Sequence, residues 1–148
     1  HSDINWLQLK QISPKPMKLK NCAFIDDNIF IHFGVPKGKF QIHGFGYKAK
    51  FSLGFGSPTE YDYSFSSESS FRIKKTGVYF LGSYKYKPIG ETKRISYTSF
   101  YTGKYALLNL NNPSEKKLLE IILKELIEDD KEKYALKIRM IQERLRNL

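Results

Sequence analysis

The sequence predicts a mainly β protein with helices at its C-terminus: an antiparallel β-sandwich of seven or eight strands over residues 1–112, then one or two helices over 113–148. Three observations predict it. Short runs of alternating apolar and polar residues follow one another from 17 to 105, with turn signals about every 8–12 residues. From Pro113 onward the apolar period becomes helical. Composition changes at the same place, since 21 of the 22 aromatic residues precede Pro113. So do 16 of the 25 Lys/Arg but only 7 of the 15 Asp/Glu, which puts +9 of the net +10 in the first region.

Each run has its own cue. Ile29-Phe30-Ile31-His32-Phe33 is β-branched and aromatic, and Val35-Pro36-Lys37-Gly38-Lys39 follows it as a turn. Phe40-Gln41-Ile42-His43 alternates, and residues 47–55 alternate over nine positions before Gly56-Ser57-Pro58-Thr59 breaks the chain. Residues 61–66 place aromatics on one side and small polar residues on the other. Residues 71–74 lead through Thr76-Gly77 into a strand at 78–81, and a last strand is expected from 94 to 100. The segment up to Pro16 offers no pattern apart from Trp6.

In the tail, Asn112-Pro113-Ser114-Glu115 reads as a helix start with Asn112 as N-cap and proline at the first helical position. Leu118, Leu119, Ile122 and Leu126 recur at helical spacing. A break is expected near Asp129 or Asp130, followed by a second stripe of Tyr134, Ile138, Ile141, Leu145 and Leu148. The first helix is expected to dock on the sandwich, and residues 130–148 offer a route to oligomerisation.

These features exclude several function classes. Cys22 is the only cysteine, so neither an internal disulfide nor a CxxC zinc motif is available, and beside Ala23 and Phe24 it reads as a small buried hydrophobe. No apolar run reaches the ~18–20 residues of a membrane-spanning helix. His32 and His43 can be hairpin neighbours, but no carboxylate or thiol stands beside them at metal-ligand spacing. Gly44-Phe45-Gly46 is a lone G-x-G without the helix of a nucleotide site. Asp26-Asp27 reads as a turn, because adjacent strand residues face opposite ways. No catalytic residue, metal or cofactor is expected, and the chain reads as a non-enzyme.

The basic doublets point to a partner. Lys18/Lys20, Lys37/Lys39, Lys48/Lys50, Arg72/Lys74 and Lys85/Lys87 are all spaced i, i+2, which in a strand puts both members on one face. Where such strands share a sheet, Lys37, Lys39, Lys48, Lys50, Arg72, Lys74, Lys85 and Lys87 form a positive band suited to an anionic surface or an acidic protein. The same spacing also serves an ordinary solvated face or a guarded sheet edge. Tyr84 and Tyr86 lie among these lysines and are candidates for stacking on nucleic-acid bases. Alternation with polar residues equally suits Tyr79, Tyr84, Tyr86, Tyr97, Tyr101 and Tyr105 to half-buried packing. The aromatic count also keeps open a barrel around an apolar ligand, although a closed barrel needs more strands than the runs supply.

Two stretches carry a resemblance. Phe33-Gly34-Val35-Pro36-Lys37-Gly38-Lys39-Phe40 resembles the Pro-Gly hairpin of small transthyretin-like sandwiches. The run from Phe71-Arg72-Ile73-Lys74-Lys75-Thr76-Gly77 to Val78-Tyr79-Phe80-Leu81-Gly82 resembles a strand pair of bacterial envelope lipoproteins in that group. The likeness covers residues 30–85 and omits the tail. It implies a sandwich fold, an exported or lipid-anchored protein of the periplasm or outer membrane, and a leader ahead of His1. The expected function is therefore a non-enzymatic cell-envelope binding or structural domain with a basic sheet face toward an anionic partner. The alternative is a cytoplasmic nucleic-acid-binding module using the same lysines with Tyr84 and Tyr86.

Overall fold

The computed structural model describes residues 4–20, 22–25, 28–49, 59–66, 69–95 and 99–148. These form nine strands: β1 (Trp6–Ser13), β2 (Met17–Leu19), β3 (Ala23–Ile25), β4 (Ile29–Ile31), β5 (Gly38–Ala49), β6 (Thr59–Phe65), β7 (Ser70–Ile73), β8 (Ser83–Arg94) and β9 (Phe100–Leu110). Two helices follow, α1 (Glu115–Asp130) and α2 (Ala135–Arg146). The β-rich body with C-terminal helices is the class that the alternation and the change of period predicted. Seven strands make one sheet in the open order β2-β1-β5-β6-β9-β8, with β7 on the first part of β5, while β3 and β4 pair by themselves. The described registers are antiparallel except β6–β9, which is parallel. A parallel pair needs a long connection, and the chain supplies one through β7 and β8.

The chain divides into two compact units. The first holds residues 1–74 and 86–107, and β5 is its spine. One edge of β5 pairs with β1; the other pairs with β7 at residues 38–41 and with β6 at 44–49. Gly44-Phe45-Gly46 is thus strand interior, not a break between two strands. The glycines are there because neighbours come close. A Cβ at Gly46 would lie 2.1 Å from the Trp6 ring, and one at Gly44 would lie 2.0 Å from the Tyr63 carbonyl oxygen.

Strand β1 is the main departure from the sequence reading, which found no pattern before Pro16. Its Leu7, Leu9 and Gln11 do alternate, but buried Gln8 and Gln11 disguise the apolar period. Gln11 is paired: its Nε2 donates to the carbonyls of Ser13 (3.1 Å) and Lys37 (3.2 Å). That removes most of the cost of burying an amide. Residues 78–81 are not a strand. Tyr79 instead closes a turn, its hydroxyl donating to the Lys75 carbonyl at 2.8 Å. The expected strand at 94–100 is two long strands, β8 ending and β9 beginning on either side of 95–99. The alternation expected over 50–55, and Asp26-Asp27, lie outside the described residues.

The second unit holds residues 75–85 and 108–148. Its helix start lies two residues beyond the expected cap: Ser114, extended at φ −70° and ψ 164°, caps α1 and accepts from the Lys117 amide. Serine suits that position because its hydroxyl meets an otherwise unpaired N–H. The break falls where the acidic run predicted it, with Asp130 Oδ1 accepting from the Lys133 amide at 3.0 Å. Leu119, Ile122 and Leu126 of α1 are buried, as are Ile138 and Ile141 of α2. The helices run back along each other, since Glu115 at the start of α1 pairs with Arg144 near the end of α2. Ser83 Oγ donates to the Pro113 carbonyl at 2.7 Å, tying the 75–85 segment to the approach of α1.

Candidate functional site

Strand register sorts the side chains of the first unit onto two faces of the sheet. Cross-strand partners share a face, and so do residues two apart. On one face lie the rows Leu9–Ile42, Gln11–Phe40–Phe71, Leu7–Phe45–Tyr63 and Tyr47–Tyr61–Tyr101. No charged residue falls in these rows. Phe45 is their centre, with ring centroids of Tyr63, Tyr86 and Tyr105 at 5.1, 5.3 and 4.9 Å. Tyr47, Tyr61 and Tyr101 stack in series across β5, β6 and β9 at 4.6 and 5.0 Å. Burial raises the Tyr47 hydroxyl above its ordinary pKa, and the hydrogen bond with Tyr63 and nearby tyrosines add to that.

The other face is basic. Its rows include Lys18–Lys10–Gln41–Ser70 and Ser13–Lys39–Arg72. Two pairs of like charge therefore stand directly opposite each other, Lys10 with Lys18 and Lys39 with Arg72. Such a pair destabilises a ladder by up to about 1 kcal/mol, where an opposite-charge pair would stabilise it. Strands β1, β2, β5 and β7 contain Lys10, Lys18, Lys39, Lys48 and Arg72 and no carboxylate at all. Nothing in these rows offsets the repulsion.

Farther along the same face the charge is mixed. Lys48 stands opposite Glu60, and Asp62 lies in the Gly46 row. Lys104 pairs with Ser64 in the Gly44 row. Trp6 is buried over Gly46, and the Lys20 ammonium sits 5.0 Å from its ring centroid. That cation–π contact is worth about 0.5–1 kcal/mol.

The register between Gln8 and Leu9 skips one residue of β5, and that residue is His43. A bulge of this kind re-aims a side chain. Burial lowers the His43 pKa below 6.5, Lys18 and Lys10 lower it further, and Asp62 opposes them. Ile42 and Phe45 both lie on the aromatic face, so alternation from each side puts His43 and Gly44 on the basic face. His32 is placed differently. Its Nε2 is 2.8 Å from the Leu7 carbonyl oxygen, and only a ring N–H can make that bond. Burial lowers its pKa, partly offset by the carbonyls of Leu7 and Leu19.

Of the residues singled out from sequence, the register unites Lys39 and Arg72. Lys48 is matched with Glu60. Lys37 lies in the turn before β5 and Lys74 just past β7. Lys87 follows Tyr86, whose ring packs on Phe45, so alternation turns Lys87 toward the basic face. Lys85 belongs to the second unit, and Lys50 and Tyr97 lie outside the described residues. Tyr86 packs against Phe45 and Tyr105 on the aromatic face, and Tyr84 donates its hydroxyl to the Leu81 carbonyl. Neither tyrosine shares a face with a neighbouring lysine. Sequence reasoning missed Lys10, although the Leu7–Leu9 alternation marks a strand and places Lys10 opposite those leucines.

The remaining reactive groups are quiet. Burial raises the Cys22 thiol pKa, which leaves little thiolate at neutral pH. Among the described residues no three His, Cys, Asp or Glu side chains gather as a metal site, and no helix is long and apolar enough to cross a membrane. No protein-family model, curated protein or solved structure matches this chain.

Proposed function

We propose that this chain is a non-enzymatic binding domain that lays the basic face of its sheet on an anionic partner of the bacterial cell envelope. The observation that carries this reading is the pair of like-charge cross-strand contacts, Lys10–Lys18 and Lys39–Arg72. A solvated sheet face has no need of them, and an anion between the strands relieves them. The cations lie along a pleated surface, which suits an extended charged surface better than a small ligand. Near an anionic membrane each Lys or Arg contributes about 1 kcal/mol of attraction.

The envelope location rests on the resemblance of residues 33–40 and 71–82 to envelope sandwiches. The nucleic-acid alternative is weakened because Tyr84 and Tyr86 face away from the lysines beside them. Two measurements test the proposal. The protein is expected to sediment with phosphatidylglycerol-containing vesicles, not with pure phosphatidylcholine, and to release as salt rises from about 50 to about 200 mM. Labelled oligonucleotides are expected to show no binding at the higher salt. Oligonucleotide binding that survives it, with vesicles left free, overturns the reading. Fractionation of the native host tests the location, and recovery wholly in the cytosol contradicts it.

A further inference from the structure

We infer that Lys10, Lys18 and His43 form a subsite for a single oxyanion, a phosphate or sulfate group, whose binding draws a proton from solvent onto His43. This rests on the reading of the basic face as an anion-binding surface and names the chemistry recognised there.

Three strands build the subsite. Lys10 of β1 and Lys18 of β2 are direct cross-strand partners, so their side chains leave the same face of the sheet as neighbours. His43 of β5 is the extra residue of the bulge, and the skip in register puts it on the same face, next to the row that holds Lys10. The charged groups that face the ring are Lys10 from β1, Lys18 from β2 and Asp62 from β6. Without a ligand the two ammonium groups oppose a third positive charge, which with burial lowers the pKa of the imidazole. An oxyanion between the lysines cancels that repulsion and leaves the attraction of Asp62. The imidazolium then presents N–H donors from both ring nitrogens. The site passes from two cations to three as it fills.

Binding and protonation are therefore linked. Sulfate is the probe, because unlike phosphate it does not itself titrate near neutral pH. In the full-length chain, the His43 ring proton resonance is followed from about pH 5 to about pH 8 with and without sulfate. His32, bonded to the Leu7 carbonyl, serves as the internal control. Sulfate is expected to raise the His43 midpoint and leave that of His32 in place. Affinity at about pH 5 then exceeds that at about pH 7.5 by up to about tenfold for each unit of that rise. His43→Gln is expected to retain sulfate binding but lose its pH dependence, and Lys18→Gln to weaken it at both pH values.

Phosphatidylglycerol vesicles form the second arm. A His43 midpoint raised by vesicles but not by sulfate assigns the subsite to a lipid headgroup; one raised by both assigns it to the oxyanion alone. A midpoint unmoved by either, while the protein still sediments with vesicles, overturns the subsite and leaves the basic face standing. An unmoved midpoint without vesicle binding overturns both.

Discussion

At the scale of single residues, the two internal histidines set a pH dependence whose sign follows from their surroundings. Both titrate below the ordinary value of 6.5 in the folded protein, His32 through burial and His43 through burial with Lys18 and Lys10 beside it. As pH falls through 6.5 the unfolded chain takes up protons first. Stability is therefore full above that value and declines toward the lower folded values. Denaturation midpoints are expected to drop between about pH 7.5 and about pH 5, a range that avoids most carboxylate titration. His32→Gln and His43→Gln are each expected to remove part of the drop, and an unchanged pH profile in both variants contradicts the assignment. Gly46 gives a second test at this scale. Gly46→Ala drives a methyl into the Trp6 ring, and a loss of about 1–3 kcal/mol in a denaturation curve is expected. An unchanged curve would mean that Trp6 does not cover that position.

At the scale of elements, the aromatic face and the helical pair are held by different parts of the chain. Phe45 joins β5, β6, β8 and β9 through its ring contacts, so Phe45→Ala is expected to cost about 3–5 kcal/mol in the unfolding of the sheet. Ile122→Ala empties a buried position on α1 and is expected to cost about 2–5 kcal/mol. Breaking the exposed Glu115–Arg144 pair is expected to change stability only slightly, and less at high salt. The helices were legible because Leu119, Ile122 and Leu126 keep a 3.6-residue period and Asp130 interrupts it. The strands were less so. Buried Gln8 and Gln11 carry a polar signal at buried positions, and Gly44 and Gly46 look like breaks although each lies under a close neighbour. The parallel pairing of β6 with β9 is a tertiary choice with no local signal. In the candidate site, the i, i+2 spacing drew attention to Lys39, Lys48 and Arg72, but Lys37 and Lys74, their partners in two of the doublets, lie outside the strands. Only the register could show that Lys39 meets Arg72, that Lys48 meets Glu60, and that Lys10 joins Lys18.

At the scale of the whole molecule, charge is segregated twice. Along the chain, +9 of the net +10 precedes Pro113. Across the sheet, Lys10, Lys18, Lys39 and Arg72 share one face, and the aromatic rows of the other hold no charge. If the sheet face binds an anionic surface, position on that face, not total charge, governs the attraction. The measurement that tests this most directly is vesicle sedimentation of two charge-reversal variants, each checked for a wild-type circular dichroism spectrum. One carries Lys10→Glu, Lys18→Glu, Lys39→Glu and Arg72→Glu. The other carries Lys116→Glu, Lys117→Glu, Lys124→Glu and Lys131→Glu, in α1 and at its C-cap. Each lowers the net charge from +10 by eight units, to +2. With phosphatidylglycerol vesicles at about 100 mM salt, the sheet variant is expected to lose about a hundredfold or more in affinity and the helix variant only a few-fold. Equal losses in the two variants would show that net charge alone drives the association, and would contradict the account.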